Sequence, residues 1–203
     1  MGRKSLKDVR QKEIIKVFYK VAKREGLGNA SIAKTARAMN INPSLILHYF
    51  QSKEQLIFGL IEYILDKYLL IFRVKNKEEH EPVETLLKVI DNIFSKKWNS
   101  LFDDGVSYSC YSLAFRDKKI RKKYRMVLDM LREKLEEQII ICNKSNNLSV
   151  IDPAHTADLI FVLVDGAYYY LSLVDDKTEY QNRLKIYKQR ALKLLNLDGD
   201  ISL

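Results

Sequence analysis

Turn-forming residues are scarce along this chain, and that scarcity limits the folds it can adopt. Its 203 residues include seven glycines and three prolines. Sandwiches, barrels and other loop-rich folds need many tight turns, and glycine and proline make a large share of them. Hydrophobic residues make up 47% of the chain and charged residues 30%, which is typical of a globular protein. We therefore expect an all-α fold of long helices.

The first part of the chain shows helical periodicity with two short breaks. Apolar residues recur at helical spacing over residues 8–25, and the pattern ends at Gly26. Two shorter helices are predicted over residues 31–39 and 43–50, because Ser31 and Asn42 are residue types that cap helices and Pro43 suits a first helical position. A fourth helix is predicted over residues 52–72. Its apolar residues lie on most of the helix circumference, which is typical of a helix covered on several sides.

A polar stretch divides the sequence into two predicted parts. Residues 74–82 read VKNKEEHEP, and this is the one linker-like segment. Four or five further helices are predicted beyond it. The sequence thus predicts a three-helix domain over residues 1–51 and a bridging helix over about 52–73. A larger helical-bundle domain is predicted over residues 74–203.

Positive charge is concentrated near the N-terminus. Residues 1–60 contain twelve Lys and Arg against four Asp and Glu, a net charge of +8, whereas residues 61–203 contain 23 against 22, a net charge of +1. This concentration favours a polyanionic partner, either nucleic acid or an anionic membrane. The membrane alternative is a peripheral protein that lies on lipid through its basic first helix. The apolar face of that helix is aliphatic, has no Trp and is sized for a core, which favours nucleic acid.

Two short helices that follow a longer one and are joined by a tight turn are typical of a helix-turn-helix. Residues 31–50 have this organisation, and the second short helix is small enough to enter the DNA major groove. The run SIAKTARAMNINPSLILHYFQSKEQL, residues 31–56, resembles the DNA-binding segment of the TetR family of bacterial regulators, above all in HYFQSKEQL. The run VDGAYYY, residues 164–170, is similar to an Asp-Gly pair common in that family's penultimate helix.

The resemblance implies a transcriptional regulator and not an enzyme. It predicts a homodimeric repressor that binds palindromic operator DNA and is released when a small-molecule ligand binds in the C-terminal domain and moves the bridging helix. The sequence departs from the family pattern at Thr35, where Ile or Leu is usual, and at Asn40, where Gly is usual. Leu47 stands where the family often has a Tyr that contacts phosphate. Ala33 lacks the longer polar side chain that some members use in this helix. Because Asn tolerates a left-handed backbone, we expect the turn to survive at Asn40.

Residues of the third helix divide into an inward and an outward set. Ile46 and Phe50 are one turn apart and are expected in the core together with Ile41. Leu47 is expected to face outward, against thymine methyl groups or sugar edges. The resemblance assigns Tyr49 and Lys53 to the DNA backbone, and Lys53 also lies at a helix N-terminus. The predicted DNA-binding residues are Ser31, Asn42, Pro43, Ser44, Leu47, His48, Tyr49 and Lys53, with Arg3 and Lys4 in a basic tail that is either a DNA contact or a solubilising end.

The C-terminal part is rich in aromatic residues. Such stripes at helical spacing are more often core than ligand site, yet ligand pockets are mostly apolar and aromatic. The family implies an inducer site among these helices, and its predicted residues are Trp98, Phe102, Tyr108, Tyr111, Phe115, Phe161, Tyr168 and Tyr169.

The last two long helices carry apolar stripes on otherwise charged surfaces. We expect them to pair with their copies in a second subunit, which makes a four-helix interface. The predicted interface residues are Ala157, Phe161, Val164, Leu184, Tyr187, Ala191 and Leu194.

No motif predicts catalysis, a cofactor or a metal site. The sequence has no Gly-rich phosphate loop, and its three His are far apart. His80 lies in an acidic linker, which favours a solvated segment over metal binding. Cys110 and Cys142 are too few for a disulfide framework and are expected to be reduced thiols, with a redox-sensing pair as the alternative. The N-terminus does not resemble a signal peptide and no segment is suited to span a bilayer, so we expect a cytoplasmic protein without a membrane partner.

Overall fold

The computed structural model describes residues 6–74, 81–95, 103–146 and 148–197, and every regular element in these ranges is a helix. The predicted all-α fold is confirmed. The nine α-helices of the described ranges are α1 (Leu6–Glu25), α2 (Ile32–Met39), α3 (Pro43–Tyr49), α4 (Lys53–Tyr68), α5 (Pro82–Ile93), α6 (Asp104–Ser112), α7 (Lys118–Lys144), α8 (Pro153–Leu171) and α9 (Lys177–Leu194).

Two 3₁₀ helices extend this set, and one of them changes a predicted boundary. Leu69–Phe72 follows α4 and Leu113–Phe115 follows α6. The fourth helix is predicted to continue to residue 72, whereas its α-helical part ends at Tyr68. A last turn that tightens to 3₁₀ geometry is a common helix ending, and apolar periodicity alone does not distinguish the two.

Side-chain caps set the boundaries of α2 and α3. Ser31 Oγ accepts a hydrogen bond from the backbone N–H of Lys34 at 3.2 Å, and Asn42 Oδ1 accepts one from the backbone N–H of Ser44 at 2.9 Å. Each cap satisfies an N–H group that a first helical turn leaves without an internal partner. Asn40 ends α2 with φ 53°, so the left-handed turn expected at this position is confirmed.

The first four helices share an apolar core, and α4 packs closely against its neighbours there. Phe18 of α1 and Ile46 of α3 are both 0% exposed. A Cβ atom added at Gly59 of α4 would lie 3.1 Å from side-chain carbons of both Ile15 and Phe50. Because that distance is tighter than most real Cβ contacts, a larger residue would push these neighbours away, and glycine lets α4 pack closely against α1 and the end of α3.

Thr35 is the one departure from the family pattern that lies inside this core. It is 0% exposed, where an aliphatic residue would carry no hydroxyl group. Its Oγ1 donates a hydrogen bond to the carbonyl of Ser31 at 2.8 Å. A buried hydroxyl costs little when it is hydrogen-bonded, so threonine is tolerated here.

The chain forms two compact units, and the boundary between them does not follow sequence order. The first unit comprises the described residues of Met1–Tyr68 and Phe102–Met126, and the second unit those of Leu69–Leu101 and Val127–Leu203. The first unit therefore contains α1–α4, α6 and the beginning of α7. The predicted division into a domain over residues 1–51, a bridging helix over about 52–73 and a domain over residues 74–203 stays a prediction.

Within the first unit, α6 and α7 are held to α1 and α4 by contacts between residues far apart in sequence. The backbone N–H of Asp103, the N-cap of α6, donates to the hydroxyl oxygen of Tyr19 at 2.7 Å. Lys123 of α7 forms an ion pair with Glu62 of α4 at 2.9 Å.

The second unit consists of α5, the remainder of α7, α8 and α9. The hydroxyl of Tyr168 on α8 donates to the carbonyl of Ile93 on α5 at 2.5 Å. Arg132 of α7 reaches Asp158 at 2.8 Å and Asp165 at 3.4 Å, both on α8. These contacts fix α8 against two neighbouring helices.

Across the part of the chain that the structure describes, no helix combines the length and the apolar character that a membrane span requires.

Candidate nucleic-acid interface

One side of α3 is buried and the other is exposed. Ile46 is 0% exposed and Phe50, just after the helix, is 6% exposed, which confirms their predicted core positions. Ile41, also expected in the core, is half-buried. The exposed side carries Pro43, Ser44, Leu45, Leu47 and His48.

The exposed side has a polar centre and apolar flanks. Successive helical residues are about 100° apart, so Ser44 and His48 lie opposite Ile46 and one turn from each other. Leu45 and Leu47 lie on the two flanks and are 37% and 44% exposed. The prediction named Leu47 and did not include Leu45.

Ser31 and Asn42, two predicted DNA-binding residues, act as helix caps in the structure. Asn42 Oδ1 accepts hydrogen bonds from both the N–H and the hydroxyl of Ser44, at 2.9 and 2.8 Å. The Ser44 hydroxyl proton is therefore used within the chain, while its oxygen retains lone pairs that can accept a hydrogen bond. Ser31 and Asn42 thus position α2 and α3, and their contact with DNA stays a prediction.

Lys53 and Tyr49 lie near one end of α3. Lys53 Nζ donates to the carbonyl of Gly28 at 2.7 Å, a contact that the sequence did not indicate. An ammonium group has three donors, so two remain for another acceptor such as a phosphate oxygen. Tyr49 is half-buried, and its ring packs edge-on against His48 with centroids 5.1 Å apart.

The first unit carries more positive charge than sequence order suggests. Met1–Tyr68 and Phe102–Met126 together contain 20 Lys and Arg against nine Asp and Glu, a net charge of +11, and the rest of the chain has 15 against 17, a net charge of −2. The prediction placed nearly all the excess in residues 1–60. It missed residues 116–125, RDKKIRKKYR, which have seven basic residues and one acidic residue and belong to the same unit.

The apolar face of α1 is not available for a lipid surface. Its residues Ile14, Ile15, Phe18, Val21 and Ala22 are all buried in the core. Insertion into a bilayer would require these side chains to leave that core, so the membrane alternative is not favoured.

The described residues of the predicted ligand site are divided between the two units. Tyr108, Tyr111 and Phe115 belong to the first unit and are 38%, 43% and 66% exposed. The ring of Tyr111 packs edge-on against those of Phe115 and Tyr124, at centroid distances of 5.4 and 5.3 Å.

The remaining ligand candidates belong to the second unit. Phe161 is 3% exposed and Tyr169 is 66% exposed. Burial raises the pKa of Tyr168, and its hydroxyl donates a hydrogen bond to the carbonyl of Ile93. A shared site for all of these residues stays a prediction. Trp98 and Phe102, together with Arg3 and Lys4 of the predicted DNA contacts, lie outside the described residues.

Much of the predicted dimer interface lies within the core of its own chain. Ala157, Phe161, Leu184 and Ala191 are between 0% and 7% exposed. Val164, Tyr187 and Leu194 are half-buried. Amphipathic periodicity identifies an apolar side of a helix, but it does not say whether that side meets the same chain or a second one.

A different set of apolar side chains remains exposed on α8 and α9. Four of them lie on α8, at positions 159, 162, 169 and 170, one lies just beyond its end, and one lies on α9. We call this set the α8 stripe: Leu159, Val162, Tyr169, Tyr170, Leu173 and Ile186, which are 36–74% exposed.

The two cysteines are buried and belong to different units. Burial raises the pKa of the Cys110 thiol to about 12 and that of the Cys142 thiol to about 11. Both thiols are therefore protonated at neutral pH. Because the thiolate is the reactive form, the surroundings of the two cysteines do not support a redox-sensing pair.

Two family models match the chain. The model described as "Bacterial regulatory proteins, tetR family" matches residues 14–60, and the model described as "Tetracyclin repressor-like, C-terminal domain" matches residues 81–197. The chain is also 24% identical over 204 residues to the HTH-type transcriptional regulator BetI of Rhizobium meliloti (strain 1021). That alignment covers 98% of this chain and 96% of the relative.

Solved structures share the fold at low sequence identity. A TetR transcription regulator from Haloarcula marismortui ATCC 43049 matches with a TM-score of 0.79 at 17% identity, covering 93% of this chain and 97% of that one. The fatty acid degradation regulator FadR from Bacillus halodurans matches with a TM-score of 0.69 at 20% identity, covering 99% of both chains.

A helix-turn-helix with an exposed second helix, in a strongly basic all-helical unit, defines a DNA-binding transcriptional regulator. The C-terminal family model alone matches more than half of the chain. The chain therefore belongs to the TetR family of bacterial transcriptional regulators.

Proposed function

We propose that this TetR-family regulator is a repressor that binds palindromic operator DNA as a homodimer and is released by a small-molecule ligand. The observation that carries the proposal is the exposed side of α3, which belongs to a unit with a net charge of +11. Entry of α3 into the major groove would bring Ser44, Leu47 and His48 to base edges. The surrounding basic residues would supply sequence-independent affinity through counterion release.

Contacts to the DNA backbone would orient α3 in the groove. Lys53 keeps two ammonium donors beyond its bond to Gly28, and Tyr49 lies beside His48 at the end of α3. Both are suited to phosphate, which positions a protein on DNA without reading its sequence. We assign the same role to Arg3 and Lys4.

The homodimer requires an apolar surface that one chain leaves exposed, and the α8 stripe is such a surface. Leu159, Val162 and Tyr169 lie on one side of α8 and are 36%, 56% and 66% exposed. Exposed apolar side chains that share one side of a helix are typical of association sites in proteins. Pairing of α8 and α9 with their copies would bury the stripe in a four-helix interface with two-fold symmetry, which matches a palindromic operator.

Release by a ligand requires a difference in affinity between two conformations. The ligand must bind more tightly to the conformation that fits operator DNA poorly, since a ligand with equal affinity for both shifts nothing. We propose that the ligand binds in the C-terminal part of the chain, and we assign to α4 the movement that changes the separation of the two α3 helices in the dimer.

Selection from a pool of random DNA duplexes tests this function. We expect an enriched palindromic sequence that binds two chains, and an affinity that falls steeply with salt because several phosphates are neutralised. Anionic liposomes serve as the comparison ligand. The function is wrong if no sequence is enriched, if affinity is nearly flat between low and physiological salt, or if liposomes bind the chain and duplexes do not.

A further inference from the structure

The exposed side of α3 has few groups that can form hydrogen bonds with bases. Of its five exposed residues, only Ser44 and His48 carry a polar side chain. None is Arg, Lys, Asn or Gln, the side chains that make bidentate hydrogen bonds with guanine and adenine edges in the major groove. Asn42 directly precedes the helix, but its side-chain oxygen already accepts two hydrogen bonds from Ser44. The exposed side of α3 therefore lacks the side chains that make bidentate hydrogen bonds with bases.

The other way in which α3 can recognise a base is by apolar contact, and one flank of the helix is apolar. Pro43 and Leu47 are four residues apart, so they lie next to each other along that flank, and both are exposed. The core beneath α3 is already filled by Ile46 and Phe50, so the packing of this unit does not require an apolar residue at position 47.

The opposite flank of α3 is less open. Leu45 is 37% exposed compared with 44% for Leu47, and it lies one turn from Tyr49, which is half-buried. Leu45 is therefore the same residue type on the same helix, but next to a partly covered neighbour rather than next to another exposed apolar residue.

Thymine presents a single apolar group in the major groove, its C5-methyl group. We propose that Leu47 is a specificity-determining residue that recognises thymine by packing against this methyl group, with Pro43 extending the apolar contact. The operator half-site then contains a thymine whose methyl group contributes to affinity. This inference rests on the proposed function, because it assumes that α3 enters the major groove.

The size of the effect follows from the burial of one methyl-sized group. Removing such a group from an apolar contact weakens binding by about fourfold, and removing one from each half-site of a palindrome weakens it by about 15-fold. The contact involves no charge and releases no counterions, so the effect should be the same at low and high salt.

Replacing thymine by deoxyuridine tests the contact directly, because the exchange removes only the methyl group and keeps the base pair. Each thymine of the selected duplex is replaced in turn, at both symmetric positions, and affinity is measured for the wild type, Leu47→Ala and Leu45→Ala. We expect one replacement to weaken wild-type binding by about 15-fold. Leu47→Ala should bind both duplexes equally, while Leu45→Ala should retain the sensitivity.

The outcomes separate this inference from the proposed function. If no duplex is enriched in the selection, the proposed function is wrong. If a duplex is enriched but no thymine replacement weakens wild-type binding, the thymine contact alone is overturned. The same holds if Leu47→Ala keeps the sensitivity, or if Leu45→Ala loses it as well. A thermal melt of each variant excludes loss of folding, which is not expected at a residue that is 44% exposed.

Discussion

The two compact units are both helical, yet they differ in charge and in what they leave exposed. The first unit has a net charge of +11 and the second has −2. Like charges repel, so a high net charge lowers the stability of a compact unit that has no polyanion bound. The second unit has little net charge, and the apolar stripe that it leaves exposed on α8 costs free energy in water. A polyanion such as DNA would therefore stabilise the first unit, and the proposed pairing with a second copy of the chain would stabilise the second by covering its stripe.

The largest expected effect concerns the stripe of the second unit. Changing Val162→Asp and Tyr169→Asp together places two charges where the dimer would bury them. Sedimentation should show a monomer, and operator affinity should fall by about 10²–10⁴-fold because the two half-site contacts are no longer linked. The matched control is Ile141→Asp, at an exposed apolar residue of α7 outside the stripe, and it should remain a dimer. A double variant that stays dimeric would place the interface elsewhere.

The next effect separates the buried side of α3 from its exposed side. Ile46→Ala removes a side chain that is 0% exposed and should lower the free energy of unfolding by about 2–5 kcal/mol. Leu47→Ala, at the neighbouring position, should change it by less than about 0.5 kcal/mol. Denaturant unfolding of the two variants measures both values. Similar losses for both would mean that Leu47 belongs to the core and is not a reading residue.

Within the first unit, base contacts and phosphate contacts should respond differently. Ser44→Ala and His48→Ala should each reduce operator affinity by about 1–3 kcal/mol for a good base contact and leave affinity for random duplex nearly unchanged. Lys53→Ala should weaken binding to both duplexes equally, since a phosphate contact carries no sequence information. Gel shifts with both duplexes decide the matter. Equal losses on the two duplexes for Ser44→Ala and His48→Ala would show that α3 does not read bases.

The smallest effect tests whether charge acts through the unit that carries it. Replacing Lys118, Lys119 and Lys122 by Gln should slow association with DNA by about two- to tenfold at low salt, and the difference should disappear at high salt. The control replaces Lys177, Lys185 and Lys193 of α9 by Gln, which changes the net charge of the whole chain by the same amount. Association kinetics should be affected less by the control. Equal slowing in both would mean that net charge matters and its placement does not.

Local features of the fold could be predicted because they depend on neighbouring residues. The caps at Ser31 and Asn42, the left-handed turn at Asn40 and the burial of Ile46 and Phe50 all follow from residues within about one helical turn of each other. The same locality explains why the exposed side of α3 could be predicted except for Leu45.

Features that depend on distant residues could not be predicted in this way. Residues 116–125 belong to the first unit through contacts such as the ion pair of Lys123 with Glu62, which are far apart in sequence. Lys53 is similarly bound to the carbonyl of Gly28, 25 positions away. A charge count along the chain cannot detect such contacts, so it underestimated the positive charge of the first unit.

The sequence by itself determined the all-helical class, the helix-turn-helix and its inward and outward residues, because hydrophobic periodicity and capping act over three or four residues. Tertiary structure decided which apolar surfaces are satisfied within the chain. Leu184 and Ala191 have the periodicity of an interface but are buried in their own subunit, whereas Tyr169 and Leu173 are left exposed. Periodicity shows only that a helix side avoids water. Which neighbour covers it depends on how helices distant in sequence pack against one another.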